Sequence, residues 1–81
     1  MLAKIYVTLK RSILDPQGKA VQHSLESMGY NEVRDIRLGK YIELKFDNII
    51  GDEPEARVRE MCEELLANPV IEDYRFEIFE G

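Results

Sequence analysis

Residues 33–47, Val33-Arg34-Asp35-Ile36-Arg37-Leu38-Gly39-Lys40-Tyr41-Ile42-Glu43-Leu44-Lys45-Phe46-Asp47, decide how this chain folds. Apolar and polar residues alternate on both sides of Gly39-Lys40, with the period of a strand that buries one face. Ile36 and Leu38 share a face before the turn signal. Ile42, Leu44 and Phe46 share one after it, with Tyr41, Glu43 and Lys45 opposite. The segment reads as a β-hairpin turning at Gly39-Lys40. A two-residue turn there would set Ile36 on the face of Glu43. The two apolar sets agree only with an odd-length loop or a bulge, and the hairpin register around Gly39 stays open between them.

Upstream, residues 2–11 alternate in the same way, with Ala3, Ile5, Val7 and Leu9 on one face and Lys4, Tyr6, Thr8 and Lys10 on the other. This is a strand buried on one side. Asp15-Pro16 then opens a helix: Asp15 can accept from free backbone N–H groups, and Pro16 suits the first helical position because its missing donor has no partner there. Val21, Leu25 and Met28 form one apolar stripe with Ala20 beside it, and Gly29 closes the helix.

Downstream, Asp52-Glu53-Pro54-Glu55 predicts the start of a second helix, with Asp52 as cap and Glu55 in the position of a capping box. Val58, Met61, Cys62, Leu65 and Leu66 follow at helical spacing, and Asn68-Pro69 stops the run. Residues 70–80 read as the last strand, with Tyr74, Phe76 and Ile78 on one face and Arg75, Glu77 and Phe79 on the other. The order β-α-β-β-α-β predicts an α+β, ferredoxin-like two-layer sandwich: a four-stranded antiparallel sheet with two helices on one face. The other face is expected to be open. It would carry Lys4, Tyr6, Thr8, Lys10, Tyr41, Glu43, Lys45, Arg75, Glu77 and Phe79, a mixed and partly aromatic set that suits contact with another subunit.

The chain has 81 residues, enough for a single domain spanning 1–81, and a formal net charge of −5. The acidic balance argues against a nucleic-acid surface or docking on an anionic membrane. No apolar run approaches the roughly 18 residues of a membrane span, and the N-terminal segment lacks the apolar stretch of a signal peptide, so a cytoplasmic protein is expected. A domain this small buries a modest share of its surface. With one Cys it forms no internal disulfide, so self-association is a natural further source of stability.

Residues that could do chemistry are few. Cys62, the only thiol, lies on the inward stripe of the second helix and reads as core. His23, the only imidazole, lies off the stripe of the first helix and has no Cys or His neighbour at ligand spacing. Glu60, Glu63 and Glu64, with Arg57 and Arg59, read as a solvated helix face. Gly39-Lys40 is too short a match for a phosphate loop and reads as turn geometry, although Arg37 and Lys40 could present positive charge at a hairpin tip. No catalytic, cofactor-binding or metal-ligating residue is assigned. The interface candidates are Tyr6, Arg37, Gly39, Lys40, Tyr41 and Phe79.

Three stretches, in this order and at this length, carry a family resemblance. They are Leu14-Asp15-Pro16-Gln17-Gly18 after the first strand, Val33 to Arg37 leading into Gly39-Lys40-Tyr41-Ile42-Glu43-Leu44, and Met61-Cys62 with Leu65 to Tyr74. Over essentially its whole length, the variable stretch Asn48 to Glu53 excepted, the chain resembles the small PurS subunits of phosphoribosylformylglycinamidine (FGAM) synthase. The resemblance implies an accessory subunit of an ATP-dependent carbon–nitrogen ligase that uses glutamine as amide donor in purine biosynthesis. It implies no catalytic residues and no cofactor of its own, since ATP and magnesium belong to the large subunit. It implies a homodimer or homotetramer that bridges the large synthetase subunit (PurL) and the glutaminase subunit (PurQ) and assists ammonia transfer. The alternative is a dimeric regulatory domain of ferredoxin-like fold that binds a small molecule between subunits. A small hydrolase is the weakest reading, for want of a nucleophile.

Overall fold

The computed structural model describes residues 1–47 and 53–80. Strand β1 (Leu2–Leu9) is followed by helix α1 (Pro16–Ser27), strand β2 (Gly39–Lys45), helix α2 (Pro54–Met61) with a π-helical turn at its end (Cys62–Leu66), and strand β3 (Glu72–Phe79). The sheet is antiparallel with order β2-β1-β3. Opposite Ile5 stand Ile42 and Phe76, and opposite Ala3 stand Leu44 and Ile78, so the three apolar sets share one face as the alternation predicts.

Helix α2 closes that face. Ile5, Val58 and Cys62 have no exposed surface, and Ala3, Val7 and Ala67 are buried with them. Full burial of side chains such as Ile5, Val7 and Val58 is worth roughly 1.5–3 kcal/mol each. Ile42, Leu44, Phe46, Leu66, Tyr74, Phe76 and Ile78 pack around this centre.

The sheet has three strands among the described residues, not the four expected, and the hairpin at Gly39-Lys40 does not form. Gly39 and Lys40 lie inside β2, opposite Thr8 and Val7. The residues before them run back along α1 instead of along β2. The Asp15 carboxylate accepts the Leu38 N–H at 2.8 Å, Gln22 Nε2 donates to the Arg34 carbonyl at 3.3 Å, and Arg37 Nη2 donates to the carbonyls of Lys10 and Ile13, each at 2.8 Å. Groups that a second hairpin arm would offer to β2 are thus engaged elsewhere. The register conflict between Ile36 and Glu43 is resolved because the two residues are never paired.

Helix α1 follows its sequence signals closely. Asp15 is the N-cap, its carboxylate accepting the Gly18 N–H at 2.9 Å; Pro16 is the first helical residue; Gly29 follows the end with a positive φ of 98°. Its position differs from the expectation that both helices cover the sheet. No α1 residue belongs to the core, and of the helix only Gly18 is buried. Helix and returning segment together form an arm beyond the sheet. The molecule is 54 Å long, with a radius of gyration of 16.5 Å. A compact chain of this length has a radius near ~12 Å.

The start of α2 also departs from the sequence reading. Asp52 lies outside the described residues, and Glu53 holds the N-cap without a side-chain hydrogen bond. At the other end, Ala67 N–H reaches the Cys62 carbonyl at 2.9 Å, a five-residue step. This π turn winds more slowly than an α-helix, so Leu65 falls short of the inner face and is 83% exposed.

Candidate functional site

The open sheet face is built from the outward residues of all three strands. Opposite Tyr6 on β1 stand Tyr41 on β2 and Arg75 on β3. The tyrosine rings lie 5.3 Å apart, and the Arg75 guanidinium sits 4.0 Å above the Tyr6 ring. At the next outward positions Lys4 lies 4.9 Å from the Phe79 ring, and Arg75 also pairs with Glu77 at 3.4 Å. Each cation–π contact is worth roughly 0.5–1 kcal/mol at an exposed site. That is small against core burial, so this layer does not set the fold. It does hold large side chains in fixed positions before any partner arrives, which lowers the entropy cost of binding. Burial against its neighbours, and then the Glu43 charge, push the Tyr41 phenol above its ordinary value, so it stays a neutral hydroxyl at physiological pH.

The structure brings together Tyr6 and Tyr41 from the sequence candidates and places Phe79 on the same face. It separates the other three. Arg37 is tied to two carbonyls and serves the arm. Gly39 is there for a close approach, since a Cβ would stand 2.4 Å from the Val7 carbonyl oxygen. Lys40 lies on the opposite side of β2, its ammonium 3.7 Å from Glu72. With no hairpin, there is no hairpin tip for Arg37 and Lys40 to share.

A second surface was not legible as a site. Beside β2, Leu44, Met61, Leu65 and Leu66 line an apolar groove of about 330 Å³ with Glu64 at its rim. Periodicity had assigned Leu65 to the core, and only the π turn exposes it. The α1 stripe, with Val21 40% and Met28 70% exposed, likewise has no cover among the described residues.

Groups suited to covalent chemistry are poorly placed for it. Cys62 is buried, and burial followed by the Glu63 charge pushes its thiol up, away from the reactive thiolate. Tyr74 donates to Glu63 at 2.9 Å, and its burial together with that bond raises its own phenol. The His23 ring is exposed and stands 3.9 Å from Glu26. Among the described residues no three His, Cys, Asp or Glu side chains converge as a metal site. A cavity between Val7, Asp15, Leu38, Lys40 and Glu72 measures about 230 Å³, below the usual range of small-molecule sites, roughly 300–1,000 Å³.

Residues 2–80 match the family described as PurS, phosphoribosylformylglycinamidine (FGAM) synthase. The phosphoribosylformylglycinamidine synthase subunit PurS of Bacillus subtilis is 61% identical over 77 residues, which cover 95% of this chain and 90% of that protein. Its counterpart in Methanocaldococcus jannaschii is 34% identical, covering 94% and 92% of the two chains. Among solved structures, B. subtilis PurS in a C2 crystal form superposes with a TM-score of 0.91 at 58% identity over 98% of both chains. A chain in the structure of PurLQS from Thermotoga maritima superposes with a TM-score of 0.78 at 32% identity, covering 95% and 96%.

Proposed function

This chain belongs to the PurS family, the small subunits of FGAM synthase in purine biosynthesis, and on that premise we propose that it is a non-catalytic adaptor holding the glutaminase and the ATP-dependent synthetase in register. The observation that carries this reading is the match, over 95% of this chain, to one chain of a PurLQS assembly. The geometry supports it. The chain offers preorganised surfaces and a buried thiol, and among the described residues most of the exposed aromatic and apolar side chains, Val70 and Ile71 excepted, lie on the sheet face, the groove and the arm.

The physical need for such an adaptor lies in ammonia. Released into water, ammonia becomes ammonium, which has no lone pair with which to attack a carbon. A rigid bridge that fixes the distance between ammonia source and acceptor acts by orientation and by limiting escape, with no bond chemistry of its own. On this reading the glutamine amide nitrogen converts formylglycinamide ribonucleotide to the amidine in the cytoplasm, and ATP and magnesium are held by the synthetase. The adaptor also associates with itself, which would cover the arm and groove that one copy leaves open.

Reconstitution tests the reading. Synthetase and glutaminase are mixed with and without this protein, and glutamine-dependent turnover is measured. The expected result is coupled activity only with the small subunit present. Equal turnover without it would overturn the adaptor role.

A further inference from the structure

Where the arm leaves the sheet, Val7 and Leu9 of β1, Asp15 and Leu38 of the arm, and Lys40 and Glu72 of the two outer strands surround a cavity of about 230 Å³. Nucleotides and other large cofactors exceed it, but it has room for a ligand the size of about seven waters. Its walls are braced. The Asp15 carboxylate accepts the Gly18 and Leu38 N–H groups at 2.9 and 2.8 Å, and Glu72 Oε1 accepts the Asn68 N–H at 2.7 Å. Asp47, Glu53 and Glu80, which border the stretches outside the described residues, line cavities with Met1 at the other end of β1.

Three charges stand around an apolar floor. Asp15 is 3% exposed, and the backbone groups it accepts from keep it a carboxylate at neutral pH. The Glu72 side chain is 15% exposed, and its Oε2 lies 3.7 Å from the half-exposed Lys40 ammonium. That separation is too long for a hydrogen bond. So loose an ion pair contributes little by itself, and both members keep hydrogen-bonding capacity for a third group.

We propose that this cavity binds the zwitterion of a small amino acid, its carboxylate on Lys40, its ammonium on Glu72 and Asp15, and its carbon atoms against Val7, Leu9 and Leu38. A zwitterion answers both halves of the loose ion pair and adds no net charge to a place shielded from water. A lone anion would face two carboxylates, and a lone cation would face Lys40. Asp15 belongs to the arm, Lys40 and Glu72 to the sheet, so the bound molecule ties the two together. The inference goes beyond the adaptor reading and does not rest on it.

Thermal melts of the full chain test it, with L-alanine as the probe. A ligand of about six non-hydrogen atoms is expected to bind with a Kd near ~1 mM. At ~10 mM L-alanine the midpoint should therefore rise by about 5 °C or more. Acetate and ethylammonium, which carry one charge each, and L-tryptophan, which is too large, are expected to give no such rise at the same ionic strength. No rise with L-alanine, or an equal rise with any of the three controls, overturns the proposal.

Two further measurements locate the site. In the parent protein, the amide NMR signals of Leu38 and Gly39 are expected to move as L-alanine is added; movement confined to other regions refutes the assignment. Lys40→Met removes a half-exposed charge, and Glu72→Gln keeps an acceptor for Asn68, so both chains are expected to fold by circular dichroism. Each should weaken L-alanine binding by ~10-fold or more, and a folded variant that binds like the parent refutes the proposal. These readouts use the isolated protein, so they are separate from the adaptor role, which is read only in the reconstituted enzyme.

Discussion

The carboxylate of Asp15 accepts the backbone N–H of Leu38 at 2.8 Å, across 23 residues of sequence, while also capping α1 through Gly18. One side chain thereby joins the start of the first helix to the residue that leads into β2. The bonds from Gly18 and then Leu38, with help from the Arg37 charge, hold the Asp15 carboxyl below its ordinary value despite its burial.

The lowered value has a definite pH signature. A carboxylate with a depressed folded-state pKa stabilises fully above its unfolded value, near 3.8, and loses that contribution as pH falls through the lower folded value. Asp15→Asn should therefore melt below the parent at neutral pH, with the gap narrowing as pH falls below 4. Asp15→Ala should lower the melting midpoint by about 5–15 °C at neutral pH. Thermal melts at pH 7 and pH 3 check both; a gap that stays constant would show that the charge does not matter.

Gly18→Ala places a methyl group against the Ile36 carbonyl and the Asp15 carboxylate at the same joint. Overpacking of this kind costs ~1–3 kcal/mol. The loss is expected in urea unfolding. A variant as stable as the parent would mean that helix and returning segment are not held so tightly.

Arg37→Ala removes the donor that serves two carbonyls. A loss of roughly 1.5–3 kcal/mol is expected, with Arg37→Lys recovering only part of it because a point charge does not reproduce the guanidinium geometry. Full stability combined with loss of synthetase binding would instead place Arg37 at a partner contact.

Cys62 is expected to resist a thiol reagent in the folded protein and to react at once in denaturant, since it is buried and its thiol is pushed up. Rapid reaction in native buffer would contradict the packing of α2 on the sheet.

Tyr6→Ala removes the ring shared by Tyr41 and Arg75 without opening the core. Stability should change little, while affinity for the synthetase should fall by about 30-fold if the sheet face is the contact. Titration by calorimetry reads this directly, and unchanged affinity would move the contact elsewhere.

Local chemistry alone determined much of this protein. Alternation in residues 2–11 and 70–80 placed β1 and β3 and their buried faces, the strands themselves ending one or two residues short of those bounds at Leu9, Glu72 and Phe79; Asp15, Pro16 and Gly29 bounded α1 to within a residue or two. These signals act over a few bonds, so they do not depend on the rest of the chain. The tertiary structure alone decided the fate of residues 33–38, the place of α1 and the exposure of Leu65. The first two depend on Asp15 and Arg37 reaching backbone groups more than 20 residues away, and the third on one slow helical turn. An extended segment carries the same pattern whether it pairs with a strand or lies along a helix. Only competition among distant donors and acceptors for the same backbone groups settles which partner it takes.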